Sequence, residues 1–209
     1  MLTVTTSSHR TVLLTGFGPF GGQVRNSSVE AVRLVEGGWD RPERLVVAGL
    51  PVAYERAGRE LDRLLAEHDP DVVVSVGLAA GRQRVGLERV AVNIRDARIP
   101  DNDGAHPGDG PVVDGGPTAY LTSLPVKLTL ERVRGAGVPA ELSLSAGTFV
   151  CNAVFYLAAS WASRRAGRRA GFVHVPSGDV AGSARAVRLS IDAALDVAED
   201  ARTPGGALG

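Results

Sequence analysis

The sequence contains very little cysteine: Cys151 is the only one among 209 residues. A single cysteine excludes a disulfide within the chain, and we expect a reducing compartment, the cytoplasm. It also excludes a zinc centre built on several thiolates, and no pair of the four histidines has the spacing of metal ligands. We therefore expect neither a metal nor any other cofactor.

The chain also lacks net charge, because 23 basic residues balance 23 acidic ones. This balance argues against a polyanionic partner, so we expect neither nucleic acid nor an acidic membrane surface. No apolar run approaches the length of a bilayer span, and the apolar stretch 11–20 is broken by glycines and a proline, unlike a secretory signal.

Apolar residues make up 44% of the sequence, which is enough to form one hydrophobic core. We expect residues 1–10 to be a disordered lead-in, residues 11–201 to be a single catalytic domain, and residues 202–209 to be a loose tail.

Strand-like and helix-like patterns alternate along the domain, which predicts an α/β fold: a three-layer α/β/α sandwich with a mainly parallel central sheet. One helix has a predicted capping box at Ser27 and Glu30. Between 96 and 117 the sequence is rich in Asp, Gly and Pro and predicts a long loop. The predicted strands are 11–17, 44–52, 71–77, 88–94, 141–147 and 171–176, and the predicted helices are 26–36, 54–68, 119–134, 148–165 and one beginning at Ser183.

The first strand is followed by GFGPFG, residues 16–21, which satisfies the glycine template of dinucleotide-binding proteins. The context disfavours that reading, because the helix signals come later and no acidic residue ends the second strand. A glycine turn packed under the sheet edge is one alternative. Another is that Phe17 and Phe20 form an apolar wall for a small ring-shaped ligand.

Cys151 lies just after a predicted strand, in the first turn of a predicted helix. Unpaired N–H groups and the positive end of the helix dipole at that position favour a thiolate, the nucleophilic form. A buried structural cysteine is the competing interpretation.

A thiol nucleophile needs a base, and His174 lies at the end of the next predicted strand, GFVHVP. If the two strands are adjacent, Cys151 and His174 share one rim of the sheet. A satisfied core histidine is the alternative. A third group would hold the imidazole in the right tautomer, and Glu88 and Asp96 are both candidates on position alone.

Several segments together resemble the pyroglutamyl peptidase I family, also called pyrrolidone carboxyl peptidases. They occur in order along almost the whole chain. The segments are TVLLTGFGPFGG with Asn26, GLAAGR, LERVAVNIRDARIPDNDG, GGPTAYLTSLPVK, SAGTFVCN and GFVHVP.

The resemblance implies a cytoplasmic cysteine peptidase, often assembled as a homo-tetramer, that removes pyroglutamate from the N-terminus of peptides. Carried over by motif, it implies a catalytic triad of Cys151, His174 and Glu88. The implied substrate-binding residues are Phe17 and Phe20 around the pyroglutamyl ring, Asn26 in the same pocket region, and Arg98 beside the catalytic centre. A structural salt bridge is an equally good interpretation of the arginine.

The sequence departs from the family in two places. The stretch SGDVAGSARAV after HVP replaces a Tyr-Ile-Pro-Glu-Gln-like segment, and Leu78 stands where some members have glutamine. Two alternatives to a peptidase therefore remain: a catalytically impaired member that acts as a binding or assembly protein, and a nucleotide-dependent oxidoreductase built on GFGPFG.

Overall fold

The computed structural model of the protein describes residues 10–204. Almost all of the predicted lead-in, and the last five residues of the predicted tail, lie outside the described residues. The division into lead-in, domain and tail therefore stays a prediction.

A six-stranded sheet runs through the middle of the molecule in the order β2-β1-β3-β8-β4-β7. Neighbouring strands are parallel except for β4 and β8, which run in opposite directions. A separate antiparallel pair, β5 and β6, lies outside this sheet. The strands are β1 Thr11–Phe17, β2 Arg44–Leu50, β3 Val72–Leu78, β4 Val85–Glu88, β5 Val90–Val92, β6 Ala119–Leu121, β7 Ala140–Ser143 and β8 Arg169–Val175.

Within residues 10–204, five helices cover the sheet: α1 Ser27–Gly37, α2 Tyr54–His68, α3 Val126–Gly135, α4 Val150–Ser163 and α5 Val180–Asp196. Apolar side chains of α1, α3 and α5 pack in one core cluster, and those of α2 and α4 pack in a second. The central strands alternate their side chains between the two clusters, so both faces of the sheet are buried. The predicted three-layer α/β/α sandwich with a mainly parallel sheet is confirmed.

The predicted capping box and one predicted helix start are wrong, and in both cases a different residue caps the helix. Asn26 caps α1 by accepting from the Ser28 backbone N–H at 3.0 Å, whereas Glu30 of the supposed capping box pairs with Arg25. The last helix begins at Val180, before the predicted Ser183, because the Asp179 carboxylate caps it. Both caps are short polar side chains, as N-caps usually are.

The predicted strand 88–94 and the predicted helix 119–134 are wrong in a related way. The first is two short strands in different sheets, β4 ending at Glu88 and β5 beginning at Val90. The second starts as strand β6, which pairs with β5, and becomes helical only after Pro125. Each segment is divided by pairing with residues distant in sequence, and local patterns do not report such pairing.

Candidate active site

The centre of the site is a hydrogen bond between two buried side chains on adjacent antiparallel strands. Glu88 is fully buried at the end of β4, and its Oε1 lies 2.7 Å from Nδ1 of His174 on β8. In the register of this pair, Gly86 faces His174 and Glu88 faces Phe172, which brings carboxylate and imidazole together. Asp96, the other predicted candidate for the third group, contributes its main chain to the Thr148 region.

The electrostatics of the pair favour an ionised carboxylate. Burial alone would raise the pKa of Glu88. The hydrogen bond from His174 and the nearby positive charges lower it by a larger amount, so the pKa of Glu88 lies below its usual value. An ionised Glu88 accepts a hydrogen bond from Nδ1–H of His174, which leaves Nε2 without a proton and free to act as a base.

Cys151 reaches the same face of the sheet from the first turn of α4. A Cβ placed on Gly77 of β3 would lie 2.9 Å from the Cys151 sulfur and 2.8 Å from the Phe172 ring. Gly77 is the register partner of His174 on the adjacent parallel strand, so their side-chain directions match. The sulfur and the imidazole therefore lie on one face of the sheet, near the same strand ends.

The route to this proximity differs from the predicted one. Cysteine and histidine were expected to come together because their strands, β7 and β8, are neighbours. The structure inserts β4 between them. The antiparallel β4 supplies Glu88, while α4 carries Cys151 back over β3.

The helix start does not make the thiol acidic, contrary to the prediction. Burial of the sulfur, with a smaller contribution from the negative charge of Glu88, raises the pKa of Cys151 to about 12. Desolvation penalises the thiolate more than the helix terminus favours it. A thiol whose pKa is raised needs a base to become a nucleophile.

Beside the sulfur lies a cavity of about 290 Å³ with mostly apolar walls. Phe17 and Phe20 both line it, as the resemblance implies, and Phe20 stacks against Phe149 with ring centroids 5.2 Å apart. Leu78 also lines it, so this side of the cavity presents a hydrocarbon side chain. The other lining residues are Gly21, Gln23, Asn26, Val52, Ala80 and Cys151.

Asn26 lines the cavity, but its amide is largely engaged within the protein. Its oxygen accepts from the backbone N–H and the hydroxyl of Ser28, at 3.0 and 2.8 Å. Its nitrogen donates to the Gly18 carbonyl at 2.8 Å. An amide has two N–H donors, so one remains to face a ligand.

Arg98 is exposed and is not among the residues that line the cavity. Its neighbour in sequence, Arg95, is the arginine that contacts the body of the protein, through Glu55 and the Pro111 carbonyl. The structure brings together the other six predicted site residues and leaves this one apart.

The glycine run GFGPFG lacks the geometry of a dinucleotide site. It forms the wall of the cavity at Phe17 and Phe20, and α1 begins only at Ser27, well beyond the last glycine of the template. Its helix N-terminus therefore does not open within the glycine run, as phosphate binding by this motif requires.

A family model described as pyroglutamyl peptidase matches residues 10–193. The chain belongs to the pyroglutamyl peptidase family. It is accordingly a cysteine-type peptidase of that family, which agrees with a lone cysteine facing a histidine–carboxylate pair.

Relatives of this peptidase carry the same description. It is 52% identical over 166 residues to a pyrrolidone-carboxylate peptidase of Clavibacter michiganensis, covering 79% of this chain and 78% of the relative. It is 43% identical over 212 residues to pyrrolidone-carboxylate peptidase 1 of Ralstonia nicotianae, covering 95% and 99%. A crystal structure of pyroglutamyl peptidase I from Bacillus amyloliquefaciens superposes with a TM-score of 0.89 at 36% identity, covering 94% of this chain and all of that one.

Sequence reasoning missed several residues of the peptidase's site. Gln23, Val52, Ala80 and Phe149 line the cavity without having been predicted to do so. Phe149 lies within SAGTFVCN and Ala80 within GLAAGR, so both residues could have been predicted from these motifs. Val52 and Gln23 belong to segments whose position depends on the fold.

The described part of the peptidase lacks two kinds of feature. Across residues 10–204, no helix combines the length and hydrophobicity needed to cross a bilayer. The same residues contain no group of three or more His, Cys, Asp or Glu side chains arranged to hold a metal ion.

Proposed function

We propose that this peptidase removes N-terminal pyroglutamate from peptides with Cys151 as nucleophile, His174 as general base and Glu88 as the group that orients the base. The observation that supports this most directly is the 2.7 Å contact of Glu88 Oε1 with His174 Nδ1, on the face of the sheet where the sulfur lies. The family membership supplies the reaction class.

In this mechanism the neutral thiol gives its proton to Nε2 of His174 as the sulfur attacks the carbonyl carbon that joins pyroglutamate to the next residue. The raised pKa of Cys151 fits proton transfer coupled to attack. Backbone N–H groups at the start of α4 stabilise the oxyanion, and His174 then protonates the departing amine. A thioester on Cys151 remains, and water activated by His174 hydrolyses it.

Specificity follows from the cavity next to the sulfur. A pyroglutamyl ring carries no charge, so the aromatic walls at Phe17, Phe20 and Phe149 suit its faces. In this proposal the second N–H of Asn26, which lines the cavity, donates to the lactam carbonyl. An ordinary N-terminal residue would bury an ammonium group with no counter-charge, which is strongly unfavourable.

The experiment is release of a fluorophore from pyroglutamyl-aminomethylcoumarin. Cys151→Ala and Cys151→Ser are expected to abolish release, because no other thiol exists in the chain. Circular dichroism and thermal denaturation would verify that these variants fold. Full activity of Cys151→Ala would refute the proposed nucleophile.

His174→Ala is expected to lose nearly as much activity, since general base catalysis contributes about 10²- to 10⁴-fold. Glu88→Gln should lose less, because an amide still fills the site and contacts the ring. Alanine-aminomethylcoumarin serves as the control substrate, and equal turnover of both substrates would refute the proposed specificity.

We also propose, from the family resemblance, that the peptidase acts in the cytoplasm as a homo-tetramer. A free thiol at the reacting atom is consistent with a reducing compartment. The exposed apolar side chains Leu121 and Leu144 are of the kind that subunit contacts cover.

A further inference from the structure

One arginine near the site joins three separate segments of the chain. Arg82 lies in the turn between β3 and β4, and its Nη1 contacts Glu88 Oε1 at 2.8 Å. Its Nη2 donates to the Ser143 hydroxyl at 3.3 Å and to the Ser145 carbonyl at 3.1 Å. Ser145 begins the turn that leads into the helix of Cys151. Arg82 thus connects the buried carboxylate to the segment that carries the nucleophile.

The backbone beneath the guanidinium has no room for a side chain. A Cβ on Gly86 would collide with Nη1 of Arg82 and would lie 3.4 Å from Glu88 Oε1. The arginine therefore lies directly on β4, in the space left by a glycine that faces His174 across the strand pair. A guanidinium held against backbone in this way has few alternative positions.

The two oxygens of the Glu88 carboxylate differ in their hydrogen bonding. Glu88 Oε1 takes contacts from both His174 and Arg82, whereas Oε2 has no hydrogen-bond partner among residues 10–204. The titratable and charged groups that face Glu88 are His174 from β8, Arg82 from the turn and Cys151 from α4. Of these, only the arginine carries a permanent positive charge.

The geometry points to Arg82 as a positioning residue that keeps Glu88 ionised and aimed at Nδ1 of His174 throughout the reaction. This inference rests on the proposed function. The arginine does not line the cavity, so it acts on the substrate only through Glu88 and the turn at Ser145.

The reason for a second cation lies in the charge changes of the cycle. When His174 is neutral, before attack and after thioester hydrolysis, a fully buried carboxylate with no other partner would favour its protonated form. A protonated Glu88 no longer orients the imidazole. The fixed charge of Arg82 maintains the carboxylate in those states. A lysine would preserve the charge but not the fork that reaches Glu88 and Ser145 together.

The test compares Arg82→Met and Arg82→Lys with Arg84→Met as the matched control, since Arg84 is exposed in the same turn. For Arg82→Met we expect kcat to fall about 10- to 100-fold, part of the contribution of general base catalysis, with KM changed less than about twofold because the cavity is untouched. The acidic limb of the kcat/KM profile should move to higher pH. Arg82→Lys should restore the pH profile but only part of kcat, and Arg84→Met should match the parent protein.

A double variant separates action through Glu88 from a general loss of structure. If Arg82 acts through the carboxylate, Arg82→Met combined with Glu88→Gln should be no slower than Glu88→Gln alone. Additive losses, or an Arg82→Met variant with unchanged kcat and pH profile, would overturn the inference. So would Arg82→Lys if it failed to restore the pH profile while folding normally by circular dichroism.

A measurement that does not depend on turnover distinguishes this test from the test of the proposed function. Infrared difference spectra between the parent and Glu88→Gln report the protonation of the Glu88 carboxyl directly, and Arg82→Met should raise the pH at which it protonates. If Cys151→Ala retained full peptidase activity, the proposed function would fail, yet the infrared shift would still decide the role of Arg82. An unshifted titration would refute that role even in an active enzyme.

Discussion

At the scale of single residues, the site depends on the absence of a side chain at Gly77. A Cβ at this position would lie 2.9 Å from the Cys151 sulfur and 2.8 Å from the Phe172 ring, closer than unbonded atoms normally approach. The nucleophile therefore sits directly on the backbone of β3, beside the strand that carries His174. A glycine at this position lets the sulfur approach the plane of the sheet.

Gly77→Ala is expected to lower kcat about 100-fold, because a methyl 2.9 Å from the sulfur must displace it and a displacement of about 1 Å can cost that much. Overpacking should also cost about 1–3 kcal/mol of stability. The measurement is turnover of pyroglutamyl-aminomethylcoumarin alongside urea denaturation.

The control for this variant is Gly49→Ala on β2, where no heavy atom lies within 4 Å of the added carbon. It should retain parent activity. A Gly77→Ala protein with normal kcat would contradict the contact that the structure gives to the sulfur.

Sequence alone predicted which residues react, but not the direction in which the pKa of the thiol is shifted. The motifs around Cys151, His174 and Glu88 mark their chemical types, and the structure brings all three to one face. The acidity of the thiol was predicted in the wrong direction, because helix position is local whereas desolvation depends on everything packed around the sulfur. Arg82 escaped notice for the same reason: its role appears only when Glu88 and Ser145 are placed beside it.

At the scale of elements, the start of α4 is anchored by a residue next to the nucleophile. Asn152 is fully buried, and its amide accepts from the Val92 N–H at 3.0 Å while donating to the carbonyls of Val92 and Ile94 at 2.9 and 3.0 Å. The side-chain amide of Asn152 thus makes hydrogen bonds to the backbone at β5 of the kind that a neighbouring strand would make. These hydrogen bonds hold the start of α4, and with it Cys151, against β5.

Asn152→Ala is expected to destabilise the protein by about 2–4 kcal/mol, since it leaves one N–H and two carbonyl groups without partners. It should also lower kcat, because the helix start can then shift relative to His174. Urea denaturation and turnover measure the two effects. Ser160→Ala, later on the same helix, should change stability by less than about 0.5 kcal/mol, and an equal loss in both variants would contradict the anchoring role.

Elements with a strong hydrophobic period could be predicted from the sequence, whereas strands defined by pairing with residues distant in the chain could not. The amphipathic pattern predicted α2 at residues 54–68, and the structure has it there. By contrast, Glu88 and Val90 stand in one apolar run, and only their pairing with β8 and β6 reveals two strands in two sheets. That division matters for function, because it turns the end of β4 toward His174.

At the scale of the whole molecule, a charge network ties one edge of the sheet to the last helix. Arg41 contacts Glu43 at 3.0 Å and also Asp192 and Asp196 of α5 at 3.2 and 3.0 Å. The hydrogen bond from Arg41 outweighs the effect of burial and lowers the pKa of Glu43 to about 2. Stability from this group is complete above the ordinary glutamate pKa of 4.5 and is lost as pH falls from there toward 2.

Glu43→Gln is therefore expected to lower the free energy of unfolding at pH 7 by about 1–2 kcal/mol, after allowance for screening at the surface. The loss should shrink between pH 4.5 and 2, where the parent protein loses the same interaction. Urea denaturation at a series of pH values measures this. Glu36→Gln, an exposed glutamate on α1, should leave the profile unchanged, and a constant difference across the pH range would contradict the assignment to Glu43.

The layered architecture followed from the alternation of patterns, but the order of strands did not. Any arrangement with helices on both faces satisfies the local signals, and the choice among them rests on long-range pairing such as that of β8 with β3 and β4.

That order has a consequence for how the chain is made. The strand that joins β3 to β4 is β8, which is also the last to leave the ribosome. Until residues 169–175 are synthesised, strands β3 and β4 lack the neighbour that they pair with in the complete sheet, and unpaired strand edges favour aggregation. The same late strand carries His174, so a protein that uses this residue as its base, as proposed, cannot hydrolyse a peptide before the strand is in place.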